Sequence, residues 1–213
     1  MSQNGIIAKQ GFPFIIPLLI LTVIFLFLGS TWGSALFFLC ASFVTWFFRN
    51  PKRISPADTR IIVSPADGEI IKIEEVGENE MLHGPSRKIS IFMNVFNVHV
   101  NRIPYSGTVE AIRYRKGKFF SANLDKASLS NEKNSVLIKT ENGKHILTEQ
   151  IAGLIARRIE CWIQVGMNVK KGDRFGLIRF GSRLEVYLPM DALISVEIGT
   201  KVRAGETPIG WIQ

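Results

Sequence analysis

Gly181 and Ser182 stand between two apolar runs, Phe175 to Phe180 and Leu184 to Leu188. A Gly-Ser pair in that setting predicts a β-hairpin turn. The same atoms also permit a reaction. Glycine tolerates strained backbone angles and leaves its carbonyl open to approach. The serine hydroxyl that follows is placed to attack that carbonyl, moving the acyl group from nitrogen to oxygen. Loss of the serine α-proton would eliminate the resulting ester. The new N-terminus would then hydrolyse to a pyruvoyl group, a carbonyl cofactor made from the chain itself.

Such chemistry needs a base, and the chain has three histidines. His83 lies in a polar turn, Leu82 to Arg87. His145 follows Asn142-Gly143, a hairpin signal, and belongs on a hairpin strand. His99 ends a β-rich apolar run, Lys88 to Val100, before Asn101-Arg102-Ile103-Pro104. Asp67 sits in Pro65-Ala66-Asp67-Gly68, ordinary turn chemistry between two strand-like segments. Arg113 to Phe120 mixes cations with aromatics. It reads either as a solvated edge or as a rim facing lipid or phosphate.

Arg179-Phe180-Gly181-Ser182-Arg183, followed by Glu185 and Tyr187-Leu188-Pro189, resembles the processing site of phosphatidylserine decarboxylases of the short bacterial type. The likeness extends over most of the chain. Phe48 to Arg53 looks like that family's junction between anchor and catalytic domain. Val98 to Arg102 is similar to its Val-His-Val-Asn-Arg segment before proline. Leu124 to Ser128 and Asn131 to Asn134 look like one of its loops, with Lys133 in place of an arginine. That exchange keeps the charge and changes the geometry. Some longer relatives carry a second histidine three positions after the first, and here that position is Arg102.

The resemblance implies Ser182 as nucleophile of maturation, His99 as base, and Asp67 as the carboxylate that orients the imidazole. It implies cleavage at Gly181-Ser182 into residues 1–181 and 182–213, which stay associated. The pyruvoyl group from Ser182 would form an imine with the amine of phosphatidylserine and release phosphatidylethanolamine after loss of carbon dioxide. His99 would protonate the carbanion as well, one histidine serving both stages. Lys118, Phe119, Phe120 and Lys126 are the candidates for a substrate or membrane rim. No metal is called for.

The elements that must position these residues are legible in outline. From Gln10 to Phe48 no residue is charged. Two apolar runs, Phe12 to Leu28 and Ala35 to Phe48, flank Gly29 to Ser34. They predict a hydrophobic helical hairpin over residues 1–50, spanning a membrane or lodged in one leaflet. Pro13 and Pro17 should loosen the first turns. A weak charged start and an immediate second apolar run argue against a cleaved signal peptide.

Lys9, Arg49, Lys52 and Arg53 carry four of the net +8, leaving +4 for the remainder. Both ends of the hairpin should therefore face the cytoplasm, with the rest of the chain on the cytoplasmic side of the cell membrane. A basic domain suits an anionic lipid surface. No nucleic-acid motif accompanies the charge, so nucleic acid is not an expected partner. Cys40 and Cys161 offer no disulfide framework. Homo-oligomer formation is left open by the sequence.

Residues 51–213 read as mainly β. Ser135 to Lys139 and His145 to Leu154 suggest a hairpin, and Ala156 to Val165 another strand. Gly166 to Asp173 parallels Gly199 to Glu206 at an offset of 33 residues. Each copy reads as a turn between short strands. The pattern resembles the hammerhead turns of biotinyl and lipoyl carrier domains, which are compact β sandwiches with barrel character. It also raises an alternative function, a membrane-tethered carrier or adaptor without catalysis. A carrier needs a lysine at an exposed hairpin tip, and the tip-like position here carries Gly181-Ser182. The fold analogy is kept and the carrier chemistry set aside.

Overall fold

The computed structural model describes residues 5–82, 84–118, 120, 130–153, 158–179 and 182–212. Gly181, Phe119, Lys126 and His83, each singled out above, lie outside the described residues, as does the start of the strand expected from Ala156. The chain divides into two compact units, 1–52 and 53–213.

The first unit is a helical hairpin. A short 3-10 turn, Lys9–Gly11, leads into α1 (Phe12–Phe27), and α2 follows (Thr31–Phe47). Pro13 falls in the first turn of α1, where its missing N–H costs no hydrogen bond. The helix runs on through Pro17, so the prolines do not fray it. Gly29 reverses the chain with φ 73°, and the Ser30 hydroxyl caps α2 by accepting from Gly33 N. Any side chain at Gly33 would collide with the ring of Phe25, which packs on Phe37 at 5.1 Å. The two ends of the hairpin are stitched together. Ala8 N donates to Phe48 O at 2.8 Å, and Asn50 N donates to Ile6 O at 2.6 Å. The helical stretch Lys9–Phe27, 19 residues, is long and apolar enough to cross a membrane.

The second unit is a β structure. Its strands are β1 (Ile61–Val63), β2 (Gly68–Val76), β3 (Ser86–Met93), β4 (Val100–Arg102), β5 (Gly107–Arg115), β6 (Lys133–Lys139) and β7 (His145–Ala152). They continue with β8 (Ile159–Cys161), β9 (Asn168–Val169), β10 (Arg174–Ile178), β11 (Ser182–Pro189), β12 (Leu193–Ile194), β13 (Lys201–Val202) and β14 (Pro208–Trp211). Eight form a curled sheet in the order β13-β2-β3-β11-β7-β6-β5-β9. The rest make two three-stranded sheets, β1-β14-β12 and β4-β10-β8. The barrel-like sandwich expected from the sequence is present.

Alternation along the strands builds the core. Ile89, Ile91 and Met93 of β3, Leu184, Val186 and Leu188 of β11, and Val136 and Ile138 of β6 point one way and are fully buried with Ile62, Ile70 and Phe175. The two repeated turns are hammerheads of matching geometry. Gly172 and Gly205 hold φ of 84° and 75°, a region that favours glycine. Gly172 N donates to Ile103 O and Gly205 N to Ser64 O, both at 2.8 Å.

One local reading is corrected. The runs before and after Gly181-Ser182 are strands, yet they do not form a hairpin. β10 pairs with β4 and β8, whereas β11 pairs with β3 and β7. A Gly-Ser turn signal reports only a change of direction; here the chain changes sheet as well. The β6–β7 hairpin is as expected, and the strand expected over 156–165 is limited to Ile159–Cys161 within the described residues.

Candidate active site

Ser182 is the first residue of β11, a strand with long partners on both sides. Eight residues of β11 register with β3 and six with β7. Ser182 lies directly opposite Met93 on one side and Ala152 on the other. Its side chain shares the core face with Leu184 and is fully buried. The hydroxyl donates to Met93 Sδ at 3.4 Å, a weak acceptor, so the oxygen's lone pairs are not engaged by that bond.

Met93 ends β3, and a short turn follows. Asn97 Oδ1 accepts from Asn94 N at 2.9 Å, and Asn94 Oδ1 accepts from Phe96 N at 2.9 Å. These side-chain bonds are ordinary asparagine turn chemistry. The turn delivers His99, which is fully buried. His99 Nδ1 is 3.0 Å from the Asn97 carbonyl. A proton on Nδ1 would be donated there, leaving Nε2 as the basic nitrogen. The His99 carbonyl accepts from Ile178 N at 3.4 Å, four residues before Ser182. Ser182 is thus paired with Met93 at one end of this turn, and His99 at its other end is bonded to Ile178 of β10.

Asp67 is placed differently. Its Oδ2 pairs with Arg53 Nη2 at 2.8 Å, and its Oδ1 accepts from Ala204 N at 2.7 Å. Arg53 reaches on to Glu206 at 2.7 Å. This knot ties the β1–β2 turn to the second hammerhead. Arg102 runs beside it, donating to Gly172 O at 2.8 Å. Burial, with Arg174 and Arg53 close by, draws its guanidinium down to about 10.

The opposite face of β11 is polar and buried. Glu185 faces Glu149 directly across the β11–β7 pair. Like charges so placed repel. Each has its own countercharge: Arg183 lies 2.9 Å from Glu185, and Lys133 lies 3.0 Å from Glu149. Ser90 and Ser135 donate to Glu185 and Glu149 respectively, and the Tyr187 hydroxyl is shared between both carboxylates at 3.0 and 3.1 Å. Burial and the two carboxylates push the Tyr187 phenol well above its ordinary range.

A third set of residues, which sequence reasoning did not bring together, lies on the core face beside Ser182. Asn134 Nδ2 donates to Gln150 Oε1 at 2.9 Å, Gln150 Nε2 to Asn101 Oδ1 at 2.8 Å, and Asn101 Nδ2 points at Met93 Sδ at 3.7 Å. All are buried. The only available signal was polarity inside strand runs that are otherwise apolar. Of the rim candidates, Lys118 and Phe120 are exposed and sit at the Ser182 end of the sheet. Asn131 clasps the main chain of Phe120 at 2.8 Å and donates to the carbonyl of Ala152, the residue opposite Ser182, at 2.7 Å.

Residues 40–210 match the family model described as phosphatidylserine decarboxylase. The chain is 54% identical over 211 residues to the phosphatidylserine decarboxylase proenzyme of Syntrophus aciditrophicus (strain SB), covering 99% of each. It is 46% identical over 206 residues to that of Desulfotalea psychrophila (strain LSv54 / DSM 12343), covering 97% of this chain and 96% of the relative. It is 45% identical over 215 residues to that of Magnetococcus marinus (strain ATCC BAA-1437 / JCM 17883 / MC-1), covering 100% and 98%. Matches of this extent show that the protein belongs to the phosphatidylserine decarboxylase family.

Proposed function

We propose that the protein decarboxylates phosphatidylserine to phosphatidylethanolamine, using a pyruvoyl group that it makes by cutting itself between Gly181 and Ser182. The observation that carries this reading is the placement of Ser182. A buried hydroxyl with a weak hydrogen-bond acceptor heads the strand around which the sheet is built. Its oxygen attacks the Gly181 carbonyl, and His99 takes the hydroxyl proton at Nε2. Elimination leaves the serine oxygen on the new carboxylate of Gly181. Water then replaces the amino nitrogen, which departs as ammonia. Asp67 is proposed for the same triad because its segment resembles that of the family, while its contacts hold Arg53 and Ala204.

Met93 and Ala152 flank Ser182, and the Asn101 amide lies on the far side of Met93. A small neutral ketone bearing a methyl group fits that lining of thioether, methyl and amide. Such a ketone, once joined to the substrate amine, supplies an electron sink for loss of carbon dioxide. His99, the proposed base, would move a proton at this stage as well. Residues 182–213 supply β11, β12, β13 and β14, so the small fragment stays bound by its pairing with β3, β7, β2 and β1. The hairpin of residues 5–50 keeps the enzyme on the lipid surface. Arg49 stacks on Trp46 at 4.2 Å at its basic end, an arrangement suited to the headgroup layer on the cytoplasmic side.

The test is turnover. Purified full-length protein in vesicles containing phosphatidylserine should release carbon dioxide and form phosphatidylethanolamine, and prior treatment with hydroxylamine should stop it. Activity that survives a carbonyl reagent would sink the pyruvoyl mechanism.

A further inference from the structure

A row of amides runs through the core to the nucleophile. Its hydrogen bonds have one direction. Asn134 Nδ2 donates to Gln150 Oε1, so Gln150 must present its nitrogen to Asn101 Oδ1, and Asn101 must present its own nitrogen to Met93 Sδ. The same sulfur accepts the Ser182 hydroxyl. A side-chain amide has a donor end and an acceptor end, so fixing one member fixes the next.

The fold does not ask for Asn101 or Gln150. Asn101 lies opposite Gly176 in the β4–β10 pair, and Ile62 lies opposite Gly210 in the corresponding β1–β14 pair. Gln150 is two residues beyond Thr148, which faces Val186 across the β11–β7 pair; two residues beyond Val186 is Leu188. Ile62 and Leu188 are fully buried, so matching positions elsewhere in the same architecture are filled by aliphatic side chains. The row also constrains its surroundings. A Cβ at Gly176 would meet the Glu160 carbonyl at 2.4 Å and Gln150 Nε2 at 2.7 Å, so the neighbouring strand and the amide both crowd that position. Cys161 lies opposite Gly176 in the β8–β10 pair.

We propose that Asn134, Gln150 and Asn101 are positioning residues for maturation: the oriented row presents the Asn101 N–H to the Met93 sulfur and thereby holds that sulfur, and the Ser182 hydroxyl on it, in one place. This rests on the reading that Ser182 attacks the Gly181 carbonyl. Gln150→Glu keeps the size and can still accept from Asn134, but as a carboxylate it has no N–H for Asn101. Gln150→Leu installs the residue found at the matching position. Asn101→Asp removes the N–H that faces Met93.

The experiment follows cleavage of freshly made full-length protein on gels, at a temperature where circular dichroism shows every variant folded. Each single variant should mature about 10- to 100-fold more slowly, the effect of small misplacements of reacting groups. The Gln150→Leu, Asn101→Asp double variant should be no slower than its slower parent, because both changes break one relay. The uncut chain should resist hydroxylamine, having stalled before the ester. Cleavage within twofold of the parent in the folded single variants would overturn the inference and leave the proposed reaction standing, as would rates that multiply in the double variant. An unmodified parent that is never cut at Ser182 would overturn both.

Discussion

The two halves of the β unit follow one path and differ at the end of one strand pair. Gly68 opens β2 and Gly107 opens β5. A Cβ on either would overlap a carbonyl of the neighbouring strand, Phe92 or Lys139. β13 pairs with the start of β2 as β9 pairs with the start of β5. The sheet order β13-β2-β3-β11-β7-β6-β5-β9 therefore reads alike from both ends, with Val186 facing Thr148 at its centre. In one half, β6 and β7 are joined by a tight hairpin in which Thr140 N donates to Lys144 O at 2.8 Å. In the other half the matching pair is Met93 and Ser182, and no turn joins them. The chain leaves after Met93 and returns, after building the whole other half, at Ser182. A pair held in register by eight residues has no need of a connecting turn. The backbone before Ser182 can therefore be opened without loosening β11.

Five substitutions break or sharpen that comparison. The largest effect belongs to Ser182→Ala, which should abolish cleavage while leaving the fold intact, since the alanine fits beside Met93 and Ala152. A single full-length band on a gel, with an unchanged circular dichroism spectrum, is the expected result. His99→Ala should slow cleavage by about 10²- to 10⁴-fold, the usual contribution of a positioned base. Normal cleavage in the folded variant, timed on the same gels, would remove His99 from maturation.

Asp67→Asn should cost less in rate than His99→Ala, and should lower stability by about 1.5–3 kcal/mol through loss of a charged hydrogen bond to Arg53. Denaturant unfolding of the detergent-solubilised chain reads this. An unchanged midpoint would mean that the Arg53 clamp contributes nothing. Gly68→Ala and Gly107→Ala should each destabilise by about 1–3 kcal/mol through overpacking and, if the halves are equivalent, by similar amounts. Neither should block cleavage. A marked difference between the two would show that the matching of β2 with β5 is only topological.

Much of this was legible in the sequence. The uncharged stretch to Phe48 announced the hairpin, and the glycines of the two repeats announced the hammerheads, because φ near 80° at Gly172 and Gly205 leaves glycine favoured there. The family was legible in local residues, the segment Arg179 to Arg183 among them. What was not legible depended on pairing. β10 and β11 looked like partners because adjacent apolar runs usually are, and nothing local says that each pairs elsewhere. Asn101, Asn134 and Gln150 are far apart in the chain, and their meeting depends on sheet order and register. The ion pair of Asp67 with Arg53 was hidden for the same reason, since Arg53 read as a membrane-flanking cation.

The most direct measurement is the intact mass of the purified full-length protein, followed by reaction with a carbonyl reagent. The account predicts two fragments, residues 1–181 and residues 182–213, the smaller one beginning with a pyruvoyl group that takes up the reagent and resists Edman sequencing. A catalytically active preparation containing only the uncut 213-residue chain would contradict it.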